Sequence, residues 1–221
     1  MSATENPHDP PAARGTPPGA PAPSSRDTAD AAYAERLRRL EGAWWKRLLN
    51  VQAPYRWNLR RLRLGRTLDV GCGIGRNLIN LGPDSIGVDH NAESIRTARQ
   101  RGLAAYTVEE FLASEYARPG GFDAMLVAHV VEHLSEAEAN DVVGTYLDYL
   151  RPGGRVLFIT PQEKGYASDH THVRFCGFAE VSALVHDLGL EPVRRYSFPL
   201  PRWTGTWFTY NEFNVLTRKP E

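Results

Sequence analysis

The sequence predicts an α/β fold built on a mostly parallel sheet. Three observations carry the prediction. Short apolar runs alternate with helical stretches over about a hundred residues, a glycine-rich turn closes the first run, and an acid closes the second. The runs fall at 66–70, 85–88, 103–107, 122–128 and 155–160, and the stretches between them require right-handed crossovers that leave the strands parallel.

Residues 1–27 are dominated by Pro, Ala, Gly, Ser and Thr, which bury too little apolar surface to offset their ordering entropy, so a disordered tail is expected. From Asp30, the residues Tyr33, Leu37, Leu40, Trp44, Leu48 and Val51 recur at steps of three or four and predict an amphipathic helix. Its stripe suits either a core contact or the cover of a ligand pocket. Pro54 interrupts the pattern and a further short helix follows over 55–63. Residues 28–64 therefore read as a helical segment ahead of a single domain at 65–221.

Within that domain a helix is expected to open at Gly75 and run to Asn80. Asn91 caps a helix reaching 101, with Gly102 as its stop. Ser135 and Glu138 form a capping box for a helix over 135–149. Pro152-Gly153-Gly154 turns the chain into the fifth strand, and a last helix at 179–188 precedes two terminal strands near 191–196 and 209–217.

Composition excludes several classes. The 26 basic and 26 acidic side chains cancel, which removes a global electrostatic case for nucleic acid or an anionic membrane. Arg60, Arg61, Arg63 and Arg66 cluster locally and read as a solvated helix face. No apolar run reaches bilayer length, and the N-terminus lacks the basic-then-apolar pattern of a secretion signal. Two cysteines without paired spacing, Cys72 and Cys176, fit a reducing, cytoplasmic location.

The chemistry concentrates at Leu68-Asp69-Val70-Gly71-Cys72-Gly73-Ile74-Gly75. Glycines at 71, 73 and 75 remove Cβ atoms where a turn passes close beneath a ligand, and a helix starting there would aim unpaired N–H groups at the same spot. The spacing G-x-G-x-G differs from the G-x-G-x-x-G of dinucleotide sites. Asp89, eighteen residues after Gly71, stands where a carboxylate accepts from both hydroxyls of a ribose.

Four segments together resemble the class I S-adenosylmethionine-dependent methyltransferases of the small bacterial type: the glycine turn, Gly87-Val88-Asp89, the stretch from Phe122 to Leu134, and Leu150-Arg151-Pro152-Gly153-Gly154. The likeness covers roughly 66–160. It implies a three-layer sandwich around a seven-stranded sheet whose last strand is antiparallel, with S-adenosylmethionine across the carboxyl ends of strands one, two and four. It further implies Asp69, Gly71, Cys72 and Gly73 at the methionine portion and Asp89 with His90 at the ribose. Val108 and Glu109 would face the adenine, and Ala128 and His129 would close the other side. The acid common in relatives after strand three is missing at Thr107 and Val108; Glu109 and Glu110 follow it. No metal is assigned to this site, and the partner it implies is a small-molecule acceptor.

Two other readings compete. His129-Val130-Val131-Glu132-His133 satisfies H-x-x-E-H, a zinc-hydrolase signature, with Glu212 downstream as a third ligand. It needs a helix, whereas Met125-Leu126-Val127-Ala128 reads as a strand ending at His129. The other is a methyltransferase-like domain that binds nucleoside without catalysis, against which the intact Asp69, glycine turn and Asp89 speak.

Methyl transfer to a hydroxyl needs a base, and histidine suits neutral pH. The candidates are His172 and His170 in Asp169-His170-Thr171-His172-Val173-Arg174-Phe175, a stretch that resembles one in small bacterial methyltransferases. His133 beside the pocket is the third. Three roles stay open for this loop: a general base at His172, a histidine fixed to a backbone carbonyl, or a metal held by both histidines and Asp169. Tyr55, Trp57, Trp203, Trp207, Phe208 and Tyr210 are candidate acceptor walls, and Arg56 and Arg60 candidate partners of the cofactor carboxylate. His186 and His8 lie away from these patterns.

Overall fold

A computed structural model describes residues 52–221. The expected tail and the amphipathic helix ending at Val51 lie outside the described residues. The elements in order are α1 (Ala53–Leu62), β1 (Thr67–Val70), β2 (Ile86–Asp89), α2 (Ala92–Gln100), β3 (Ala105–Thr107), α3 (Val108–Leu112), β4 (Phe122–Ala128), α4 (Glu136–Leu147), β5 (Leu150–Pro161), α5 (Glu163–Tyr166), α6 (Phe178–Asp187), β6 (Glu191–Phe198) and β7 (Glu212–Arg218), with short 3-10 turns between some of them.

One seven-stranded sheet runs β3-β2-β1-β4-β5-β7-β6. Strands β1 to β5 pair in parallel, and β7 lies antiparallel to both β5 and β6. The expected mostly parallel sheet with an antiparallel last strand is thus observed. Strand order reverses between β1 and β4, and the crevice beyond their carboxyl ends is where ligands collect in such sheets.

Both sheet faces are covered. Met125, Val127, Val156 and Phe158 point into a core shared with Ala139 and Val143 of α4 and Val181 and Leu184 of α6. Ala124, Leu126, Ala128, Leu157 and Ile159 alternate onto the other face, where Leu59 of α1 packs. Phe122 breaks the parity and joins the first face because the β4–β5 register shifts between it and Ala124. Pro152-Gly153-Gly154, expected as a turn, is absorbed within β5 at that irregularity.

Local signals explain most element ends. Pro54 occupies the first turn of α1, where a missing N–H costs nothing. Asn91 accepts from the Ser94 N–H at 3.0 Å, and Ser135 with Glu138 closes the predicted capping box. The helix expected from Gly75 is not formed. Gly71, Gly73 and Gly75 all take positive φ (71°, 53° and 81°), and Gly82-Pro83 closes the segment so soon that only a 3-10 turn, Leu78–Asn80, fits. Strands at 103–107 and 209–217 begin later than expected, the second because residues 209–210 form a turn ahead of β7.

The arginine cluster is not a bare solvated face. Arg61 lies over the Trp57 ring at 4.5 Å, and Arg66 lies over Phe122 at 4.9 Å while its side chain donates to the carbonyls of Asp84 and Gly121. Among the described residues no helix is long and apolar enough to cross a membrane.

Candidate active site

A cavity of about 820 Å³ opens at the carboxyl ends of β1, β2 and β4. Its floor begins at the glycine turn. Without a helix behind them, the turn's N–H groups are spent on β2: Gly71 and Cys72 donate to the Val88 carbonyl at 2.8 and 3.1 Å. Gly73 donates to Asp89 Oδ2 at 2.8 Å, and Asn91 to Asp89 Oδ1 at 2.8 Å. Turn and acid therefore face one another, and His90 Nδ1 stands 3.5 Å from the same carboxylate. A Cβ on Gly71 would sit 2.4 Å from Val130 Cγ2, so the turn is pressed against the segment following β4.

Asp69 lies beneath, 2% exposed, with Oδ2 making no hydrogen bond among the described residues. Burial, with the Asp89 charge adding to it, pushes its carboxyl up to about 8. An orphaned buried carboxylate is costly unless a cation compensates it.

Beyond β4 the chain places its histidines apart. His129 takes a left-handed φ of 58° and puts Nε2 3.0 Å from Glu212 Oε1 and Nδ1 3.3 Å from Glu132 Oε1. The side chain is 43% exposed; desolvation of its inner atoms opposes charge, but the two carboxylates more than offset this and raise its pKa to about 10. A charged ring holds a proton on each nitrogen, so His129 offers neither a base nor a metal lone pair at neutral pH. The helical face required by H-x-x-E-H is also missing, since β4 ends at Ala128 and Val131–His133 is a 3-10 turn.

His133 turns instead toward the loop after β5. Its Nδ1 donates to the Thr171 carbonyl at 3.1 Å, and its ring centre is 4.8 Å from that of His172. Burial holds its pKa below the ordinary value. His172 Nδ1 donates to the Tyr166 carbonyl at 2.7 Å, with its ring stacked on Tyr166. Carbonyls only accept, so both rings carry the proton on Nδ1 and leave Nε2 as a lone pair. Asp169 Oδ1 accepts from the N–H and hydroxyl of Thr171, and Val173 and Arg174 donate to the Glu132 carbonyl, which ties the loop to the turn after β4.

The cavity wall brings together Gly71, Cys72, Gly73, Asp89, His90 and Val108 on the side of β1 and β2. Ala128, His129, His133 and His172 line the other side. Glu109 and His170 are exposed and outside the lining. Glu110 is engaged elsewhere, closing a capping box with Thr107 and pairing with Arg99. Of the aromatic candidates Tyr55 and Tyr210 line the cavity, and the Tyr55 hydroxyl donates to the Tyr210 carbonyl. Trp57, Trp203, Trp207 and Phe208 do not line it, nor do Arg56 and Arg60. Among the described residues the arginine that does is Arg76, which only its place one residue past the glycine turn could have signalled. Glu212, proposed from the sequence only as a zinc ligand, lines the cavity as the partner of His129.

A family model described as a methyltransferase domain matches residues 33–195. The chain belongs to the methyltransferase domain family. The same fold recurs in a SAM-dependent methyltransferase from Archaeoglobus fulgidus, 17% identical, covering 86% of this chain and 100% of that one with a TM-score of 0.63. It recurs in the magnesium protoporphyrin IX methyltransferase of Synechocystis PCC 6803 with bound SAH (15% identity, 88% and 97% coverage, TM-score 0.61). An N-methyltransferase from Bradyrhizobium japonicum shares it at 20% identity, 76% and 95% coverage and a TM-score of 0.57. No curated protein matches the chain. This is a methyltransferase of the class I fold with S-adenosylmethionine as its cofactor.

Proposed function

We propose that this methyltransferase acts on a hydroxyl of a small molecule held between the cofactor and the His133–His172 wall. The observation that carries the reading is the pair of imidazole Nε2 lone pairs on that wall, each set by a carbonyl bond at Nδ1. An oxygen acceptor must shed its proton as it is methylated, whereas many amines and thiolates need no such help, so this wall favours oxygen over nitrogen or carbon. His172, on the loop, is the proton acceptor; His133, behind it, holds its orientation.

The cofactor supplies an electrophilic sulfonium methyl. Asp89 retains acceptor capacity beyond its two backbone bonds and takes the ribose hydroxyls. Asp69, buried beneath the turn, would give up its proton to compensate the cationic methionine end, and Arg76 of the cavity lining would meet the cofactor's carboxylate. Val108, in the cavity lining, would hold the adenine. His129, held charged by Glu132 and Glu212, is a fixed wall rather than a base. About 820 Å³ is room for a cofactor and a modest acceptor. The zero net charge supports a small molecule over nucleic acid.

The test is transfer of labelled methyl from S-adenosylmethionine across a panel of phenols, sugars, carboxylates and amines. Hydroxyl substrates should be labelled, with His172→Gln lowering kcat more than it raises KM. Labelling of amines alone, or indifference to His172→Gln, contradicts the reading.

A further inference from the structure

Glu132, His133 and His172 each offer one possible ligand atom, and these atoms all lie within 4.8 Å of one another. We propose that these three side chains form a site for a divalent transition-metal ion of the zinc, cobalt or nickel class. The set differs from both metal readings of the sequence, because it uses neither His129 nor Asp169 as a ligand. It rests on the acceptor-facing role given above to this wall.

The carboxylate supplies the first reason. Glu132 is wholly buried and, among the described residues, neither of its oxygens makes a hydrogen bond; His129 Nδ1 stands 3.3 Å from Oε1. The rings supply the second. Metal-binding histidines characteristically give the other ring N–H to a carbonyl or carboxylate, which fixes tautomer and orientation. His133 does so to Thr171 and His172 to Tyr166, and Asp169 stiffens Thr171 in turn. The loop thus carries the outer shell of a metal site already assembled.

Size and donor type narrow the ion. Bond lengths of about 2.0–2.2 Å in a tetrahedral shell put ligand atoms about 3.4 Å apart, so the widest pair must draw in by up to about 1.4 Å on binding, which the loop position of His172 allows. Two imidazoles and one carboxylate suit a borderline transition metal and not magnesium or calcium, which prefer all-oxygen shells. His133 and His172 line the cavity, so three protein ligands leave an open position toward it, as in catalytic rather than structural sites. An acceptor hydroxyl entering there would be polarised by the ion and release its proton to solvent water, and His172 would then act as ligand instead of base.

The experiment is titration of the chelator-stripped full chain with zinc and with cobalt(II), by calorimetry and by visible absorption of cobalt. One saturable site is expected, at micromolar affinity or tighter, with the ligand-field bands of a low-coordinate cobalt centre. Glu132→Gln and His172→Ala should each weaken it at least 100-fold, and His186→Ala, on the exposed face of α6, should not change it. His172 is partly exposed in a loop, so its variant decides the matter should Glu132→Gln fail to fold. No saturable binding, or binding indifferent to His172→Ala, overturns the proposal. Activity that survives chelation yet is lost in His172→Ala would remove the metal and leave the base in place.

Discussion

The Gly73 N–H donates to Asp89 Oδ2 across 2.8 Å, joining the turn after β1 to the acid that ends β2. Asp89 is therefore a strut of the turn before it is a contact for any ligand. Loss of its carboxylate affects the shape of the floor as well as the groups it offers. Asp89→Asn keeps one acceptor oxygen and separates the two effects. Its Tm should stay closer to that of the parent than the Tm of Asp89→Ala, measured without cofactor.

Gly71→Ala should destabilise the fold by about 2–4 kcal/mol, since a Cβ meets Val130 Cγ2 at 2.4 Å in a backbone region unfavourable to L-residues. Chemical denaturation measures the loss. Val130→Ala in the same chain should recover the overpacking part and leave the backbone part, so the double variant falls between Gly71→Ala and the parent.

Asp69 couples stability and cofactor binding to pH. Its carboxyl rises from 3.8 in the open chain to about 8 in the fold, so the folded state binds more protons between these values. Stability should fall as pH climbs from about 4 to 8 and stay lost above. A cationic ligand favours the carboxylate, so cofactor binding near pH 7 should release a proton. Calorimetry in buffers of different ionisation heat detects it. Asp69→Asn should flatten both dependences.

His129 should stay protonated well above neutrality. A pKa raised to about 10 gives stability that is complete below the ordinary histidine value and lost as pH rises through the folded one. NMR titration of the ring should show no transition between pH 6 and 8, and Glu212→Gln should bring the transition down toward the ordinary range. A ring that titrates near 6.5 in the parent would show that the two carboxylates do not hold it.

Much of this was legible in the sequence because the signals were local. Alternating apolar runs gave five parallel strands, and Asn91, Ser135 and Pro54 marked helix starts by their own chemistry. The failed helix at Gly75 was a conflict between a strand-to-helix habit and three positive-φ glycines followed at once by Gly82-Pro83. Glu110 was open to reading as well, since Thr107-x-x-Glu110 is a capping-box pattern that engages its carboxylate with the helix start. The sequence joined His129 to Glu212 only as zinc ligands; their ion pair, and the approach of His133 to His172, were not legible. Each spans dozens of residues, and which of His170 and His172 turns inward depends on hydrogen bonds to Tyr166 and Thr171 that no periodicity encodes.

The most direct measurement is calorimetric titration of S-adenosylmethionine into the parent chain and Asp89→Ala, with NAD as the contrasting nucleotide. The parent should bind the sulfonium cofactor and not NAD, and the substitution should weaken binding about 10- to 100-fold, the worth of charge-assisted hydrogen bonds lost. Equal affinity for NAD, or an undiminished affinity in Asp89→Ala, would contradict the assignment of this floor to the adenosyl group.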